Sequence, residues 1–163
     1  MDDDLWSFAL RFYDDAETQE HCLRLQDEFG GDVPVALCLL WHAARGRVTE
    51  ADAIRALDAA VAPWREEVVR PLRALRRKLK TEALNPDAAA QEGFRSQVKK
   101  VELSAEKVQL KTLEAATLPG RDGVAPAEAA RETLAAYGTT LPAPLADDLI
   151  DALVARMEAI AAP

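Results

Sequence analysis

The chain has 163 residues, a formal net charge of −8 and two cysteines. That length buries a core without staples; two cysteines make no disulfide framework and point to a reducing compartment. The acidic balance opposes approach to nucleic acid at long range. Leu and Ala dominate, β-branched residues are few, and no alternating pattern of strands is visible, so the expected fold class is all-α. The start Met1-Asp2-Asp3-Asp4 is wrong for a signal peptide, and no apolar run reaches membrane length. The expected location is cytoplasmic.

In chain order, a first helix is predicted from about Asp3 to Tyr13, with Leu5, Phe8, Ala9 and Phe12 on one stripe and Trp6, Leu10 and Tyr13 on a second. A second runs from about Asp15 to Phe29. Its inner face is Cys22, Leu25 and Phe29, and its start carries the Asp14-Asp15 pair, read as capping. From Val33 through Trp41 no side chain is polar. Helix-forming Leu and Ala, Asp32 as a cap, Pro34 in the first turn and Gly46 as a stop make Val33 to Arg45 a helix rather than a strand. An apolar surface nearly all round demands burial on every side, so this is the central helix. A fourth helix opens at Thr49, with Asp52 as a capping-box variant, and ends near Pro63-Trp64. A fifth covers residues 64–80, with Val68, Leu72, Leu75 and Leu79 as an inward seam and a kink at Pro71. After Asn85-Pro86 comes a long charged helix, about Asp87 to Leu118, with a seam of Phe94, Val98, Val101, Ala105 and Val108. A loop then leads to two Ala-rich helices, about Pro126 to Tyr137 and about Pro144 to Ala162. The aromatics thin out after Trp64. The expectation is a five-helix core over residues 1–82 and a helical C-terminal appendage over 83–163.

Charge is the clearest functional signal. Seven Lys/Arg and two Glu between Arg65 and Lys80 give that segment +5 and leave −13 for the remainder. Opposite the seam fall Arg70, Arg73, Arg77 and Lys80; with Arg76 they form the candidate binding face. Guanidinium groups suit phosphate or carboxylate, but no aromatic residue interleaves them beyond Trp64, which weakens a single-strand platform.

Leu5-Trp6, Cys22-Leu23-Arg24-Leu25-Gln26, Leu40-Trp41, Trp64-Arg65 and the run Val68-Val69-Arg70-Pro71-Leu72-Arg73 to Lys80 resemble a proteobacterial family of short helical proteins of unknown function. The resemblance covers about residues 5–80. It implies no substrate, cofactor or catalytic residue.

Other sites carry less. Cys38 and His42 are one turn apart, and His21-Cys22 could complete a tetrahedral zinc set, but the adjacent pair diverges on a helix and buried cysteine serves as apolar filling; no metal is expected. No phosphate loop or nucleophile elbow is present, and His42 has no identifiable orienting partner. The reading is a non-enzymatic interaction or regulatory protein without a cofactor, contacting a protein partner through helix 64–80. One alternative is a nucleic-acid or anionic-lipid binder through the same arginines. Another is a ligand carrier or enzyme with a pocket near Trp41, His42 and Trp64. The oligomeric state is not encoded in any visible pattern.

Overall fold

The computed structural model describes residues 3–161. They form α1 (Leu5–Tyr13), α2 (Ala16–Phe29), α3 (Val33–Ala43), α4 (Ala51–Trp64), a π-helical turn (Arg65–Val69), α5 (Arg70–Thr81), α6 (Ala88–Ala115), α7 (Pro126–Thr139) and α8 (Asp147–Ala161). The fold is all-α; among the described residues the sole extended pairing is an isolated bridge between Val48 and Arg121. The predicted end of the last helix, Ala162, lies outside the described residues. No helix among them is long and apolar enough to cross a membrane.

The first three helices start where short acidic side chains satisfy orphan amides. Asp4, Asp15 and Asp32 accept from the backbone N–H groups of Ser7, Thr18 and Val35. Gly30, at φ 70°, ends α2 in the left-handed region. The predicted capping box at Thr49 does not form. Glu50 precedes α4 without a side-chain bond, and the Thr49 N–H instead donates to Thr133 Oγ1 on α7 at 3.1 Å.

Val35 through Leu40 and Ala43 of α3 are all buried, and α3 packs against α1, α2, α6 and α7. The core around it differs from the expected five-helix arrangement. Leu110 and Leu113 of α6, Ala129, Ala130, Leu134 and Tyr137 of α7, and Leu149, Leu153, Val154 and Met157 of α8 all join it, while α5 contributes no buried residue. The physical reason is that α3 is apolar on all sides and needs a cover on each. The Ala-rich helices supply one by close approach rather than by bulk, so a scarcity of aromatics gave no warning. The apolar cluster therefore runs across residue 82.

From Ala51 to Thr81 the helical backbone is continuous. Pro71 has no N–H to offer Glu67, and its ring clashes with that carbonyl. A widened turn, closed by Arg70 N–H donating to Arg65 O, sits just before it in place of a break. One extra residue in a turn rotates everything beyond it by roughly 100°. The inward side consequently centres on Val69 and takes in Arg73 and Arg76; of the predicted seam, Leu75 turns outward and Val68 keeps only partial burial. Val69 is buried, Leu75 is 40 % exposed, and Leu72 and Leu79 are half-buried. The facing helix answers in kind. Its buried line is Val98, Glu102, Ala105, Gln109 and Leu113, and the predicted seam residues Phe94, Val101 and Val108 face outward.

Candidate functional site

The slipped phase of α5 decides the chemistry of its arginines. Arg73 does not project into solvent as the sequence predicts. Its Nε donates to Glu102 Oε1 at 3.2 Å, Nη2 to Glu106 Oε1 at 3.0 Å and Nη1 to Gln26 Oε1 at 2.8 Å. Arg76 shares Glu102, donating from Nε to Oε2 and from Nη2 to Oε1. Both arginines are thus spent on joining α5 to α6, and Arg73 also ties in α2. Burial pushes the Glu102 carboxyl up, but hydrogen bonds and charge from Arg76 and Arg73 outweigh it and hold the group below its ordinary range. For Glu106 the balance reverses: burial dominates over Arg73 and its carboxyl sits high.

The rest of the predicted face is outward. Arg70, Arg77 and Lys80 are exposed. Arg70 pairs with Glu66 at 2.8 Å; among the described residues Arg77 forms no ion pair.

A second network lies beneath the π-turn. Arg65 donates to Asp58 at 2.7 and 3.2 Å and lies 3.7 Å from Asp32. Asp32 also accepts from Gln109 Nε2 at 2.7 Å, and its N–H donates to Tyr137 Oη at 2.7 Å. The π-turn is therefore tied through α3 to α6 and α7. Burial raises the Asp32 carboxyl despite Arg65. Arg65 and Asp58 stand two helical turns apart, but the partners of Asp32 were not visible in the sequence, because those pairings span distances in the chain that no local period reports.

Three concavities surround these groups. A cleft of about 320 Å³ is lined by Arg65, Arg70, Arg73 and Arg77, with Asp32 and Gln26. Beyond Arg73 and Gln26, which line both, an apolar groove of about 160 Å³ opens between α1, α2, the start of α3 and α6. Leu10, Tyr13, Leu23 and Leu103 line it, each at least 40 % exposed. A wider trough of about 740 Å³ lies between the start of α4 and residues 116–121, with Ala53, Ala56, Ala60 and Ala116 among its lining; its charged groups, Glu50, Asp52 and Arg121, are exposed.

Trp41, His42 and Trp64 line none of the three. Trp41 and His42 meet edge to face at 4.9 Å, Trp41 Nε1 donates to Asp3 O, and Arg45 stacks on its ring. Trp64 is elsewhere, donating to Ala105 O of α6 at 2.9 Å. His42 Nε2 is buried and finds no hydrogen-bond partner among the described residues. Burial, reinforced by Arg47 and Arg45, lowers its pKa to about 4, so the ring is neutral at pH 7. Burial pushes the thiols of Cys22 and Cys38 up to about 12, so both are protonated at neutral pH. Among the described residues no three His, Cys, Asp or Glu side chains converge as a metal set.

No curated protein and no solved structure matches the chain. The segment from α1 nearly to the end of α6 does have a recognisable lineage, one that extends past residue 80 through most of the hairpin helix carrying Glu102 and Glu106. Residues 4–113 match the family described as "Protein of unknown function (DUF2390)", and the chain belongs to that family.

Proposed function

We propose that this is a non-enzymatic interaction protein that holds an acidic partner at the arginine-lined cleft of α5. One observation carries the reading: four guanidinium groups converge on one concavity in a chain of net charge −8. Arg65 is fixed there by Asp58 and Arg73 by Glu102 and Glu106, which leaves Arg70 and Arg77 at the rim to meet a partner. Planar guanidinium groups accept carboxylates in paired geometry. Screening beyond roughly 8 Å at physiological salt leaves such a local patch usable despite the acidic body.

The test is affinity capture from the native cell with wild type and with Arg70→Glu/Arg77→Glu. Both side chains are exposed, so the double variant should melt as wild type does. Loss of a co-purifying protein at unchanged stability supports the reading. Loss instead of a steeply salt-dependent association with DNA or anionic vesicles transfers the site to a phosphate-bearing partner. If neither changes, the basic rim is a solvated surface and the proposal fails.

A further inference from the structure

The cleft does not stand alone: it shares Arg73 and Gln26 with the apolar groove. We infer that the groove is an anchor pocket, taking one large apolar side chain of the acidic partner segment whose carboxylates lie over Arg70 and Arg77. This rests on the interaction reading above and adds the second half of the recognition element.

Four exposed large apolar side chains, Leu10, Tyr13, Leu23 and Leu103, come from three different helices and gather on one concavity. Scattered exposed leucines are ordinary, but a gathered patch rimmed by polar groups marks a contact surface. Size selects the occupant. A cavity of about 150 Å³ holds a single benzene ring, so a groove of about 160 Å³ seats one Phe, Trp or Leu side chain. Pockets that enclose whole small molecules are larger, about 300–1,000 Å³. One anchored side chain in a desolvated pocket, with charges at its edge, is how protein contacts concentrate their binding energy.

Charge selects the flanks. Arg73 is the wall between the two concavities and is neutralised by Glu102 and Glu106. The free positive charge is just beyond it, on Arg77, with Arg70 alongside. A residue seated in the groove therefore has its chain neighbours over the arginine rim, where Asp or Glu is favoured and Lys or Arg is repelled. A second copy of this protein is disfavoured, since it would bring a body of −8 against another of −8. The other exposed apolar line, Phe94, Val101 and Val108 on the outer face of α6, borders none of the three concavities.

The experiment selects phage-displayed random twelve-residue peptides on the immobilised full-length protein. It then measures binding of a fluorescein-labelled copy of the winner to wild type, Leu103→Glu and Arg77→Glu, each checked by its melt. Both substituted side chains are exposed, so folding is preserved. The expected winners place Phe, Trp or Leu beside two or more acidic residues. Each variant should weaken the winner about tenfold or more at unchanged melting. Winners without acidic residues, winners rich in Lys or Arg, or no enrichment over an uncoated control overturn the inference. If Leu103→Glu binds like wild type while Arg77→Glu does not, the groove is refuted and the cleft survives. If both variants bind like wild type, both fail. Sedimentation of the free protein covers the remaining occupant: a dimer dissociated by Leu103→Glu would assign the groove to self-association and overturn the partner segment.

Discussion

Removing Arg73 tests whether the α5–α6 hairpin is held by buried charge. In Arg73→Ala, Glu106 loses its only cationic partner among the described residues and Gln26 Oε1 loses its donor, whereas Glu102 keeps Arg76. Breaking a fully buried pair by removing one partner costs about 3–5 kcal/mol. Here the Glu106 side chain is 28 % exposed, so water recovers part of the loss and roughly 2–3 kcal/mol is the expected cost. For a chain of this length that lowers the thermal midpoint by about 5–10 °C. The pH dependence supplies a sharper signature. Without Arg73, the Glu106 carboxyl, already high through burial, rises further, and Glu102 rises with it. A carboxyl whose folded pKa goes up is stabilised by proton uptake, and that contribution is lost as pH rises through the folded value. The gap between variant and wild type should therefore be widest at pH 7 and narrow towards pH 4. Urea melts at the two pH values, with exposed Arg77→Ala as a control expected within about 0.5 kcal/mol of wild type, read this directly. An Arg73→Ala variant as stable as Arg77→Ala at pH 7 would refute the buried network and restore an outward Arg73.

His42 has a folded pKa of about 4, below its ordinary 6.5. Its contribution to stability is therefore complete above pH 6.5 and is lost as pH falls towards 4. Of the two histidines, one should titrate near 4 by NMR, and His42→Gln should flatten the acid side of the stability profile; two ordinary titrations would contradict the buried ring. Truncation after residue 115 removes α7 and α8, uncovers one side of α3 and leaves the Asp32 N–H without Tyr137 Oη. The fragment should lose its cooperative melt; a sharp transition at the wild-type midpoint would show that α1–α6 enclose α3 unaided. Pro71→Ala gives residue 71 an N–H for Glu67 O. The π-turn should then convert to α-helix and turn α5 by one residue, carrying Leu72 and Leu75 inward. Protection of Leu75 and loss of protection at Arg73, read by hydrogen exchange and arginine side-chain NMR, would report it; an unchanged spectrum around Glu102 would mean that the charge network, not Pro71, sets the turn.

Much of this was legible locally. The central helix declares itself because nine consecutive positions from Val33 to Trp41 lack a polar side chain, and a surface helix cannot have that composition. Its cap at Asp32 and its neighbours' caps follow from short acidic residues ahead of apolar runs. The C-terminal helices were underweighted because apolar bulk was taken as the measure of burial. Ala129, Ala130 and Leu134 are as enclosed as Leu39, and small side chains reach that state by letting backbones approach.

The arginines were misplaced for a different reason, and the error has a single source. Taking Val68, Leu72, Leu75 and Leu79 as the inward seam assumes that the apolar line of α4 continues in an unbroken α-helical phase. The inward residues before the turn, Ile54, Leu57 and Val61, obey it. Past Val61 the line continues through Arg65 and then Val69, Arg73 and Arg76, which fall one place later than Val68, Leu72 and Leu75 of the apolar seam. A lone proline signals a kink as readily as a π-turn, so no pattern within residues 64–80 separates the two registers. The deciding partners are on α6, where Glu102 and Glu106 stand one turn apart and face α5. In the apolar register those two carboxylates would be buried against leucines, at a cost that hydrophobic contact does not offset. In the slipped register they meet Arg73 and Arg76. The turn before Pro71 and the charge pattern of α6 thus agree on one phase of α5, and with it the sorting of one basic helix into two arginines that hold the fold, Arg73 and Arg76, and two at the rim of the cleft, Arg70 paired with Glu66 and Arg77 without an ion pair among the described residues.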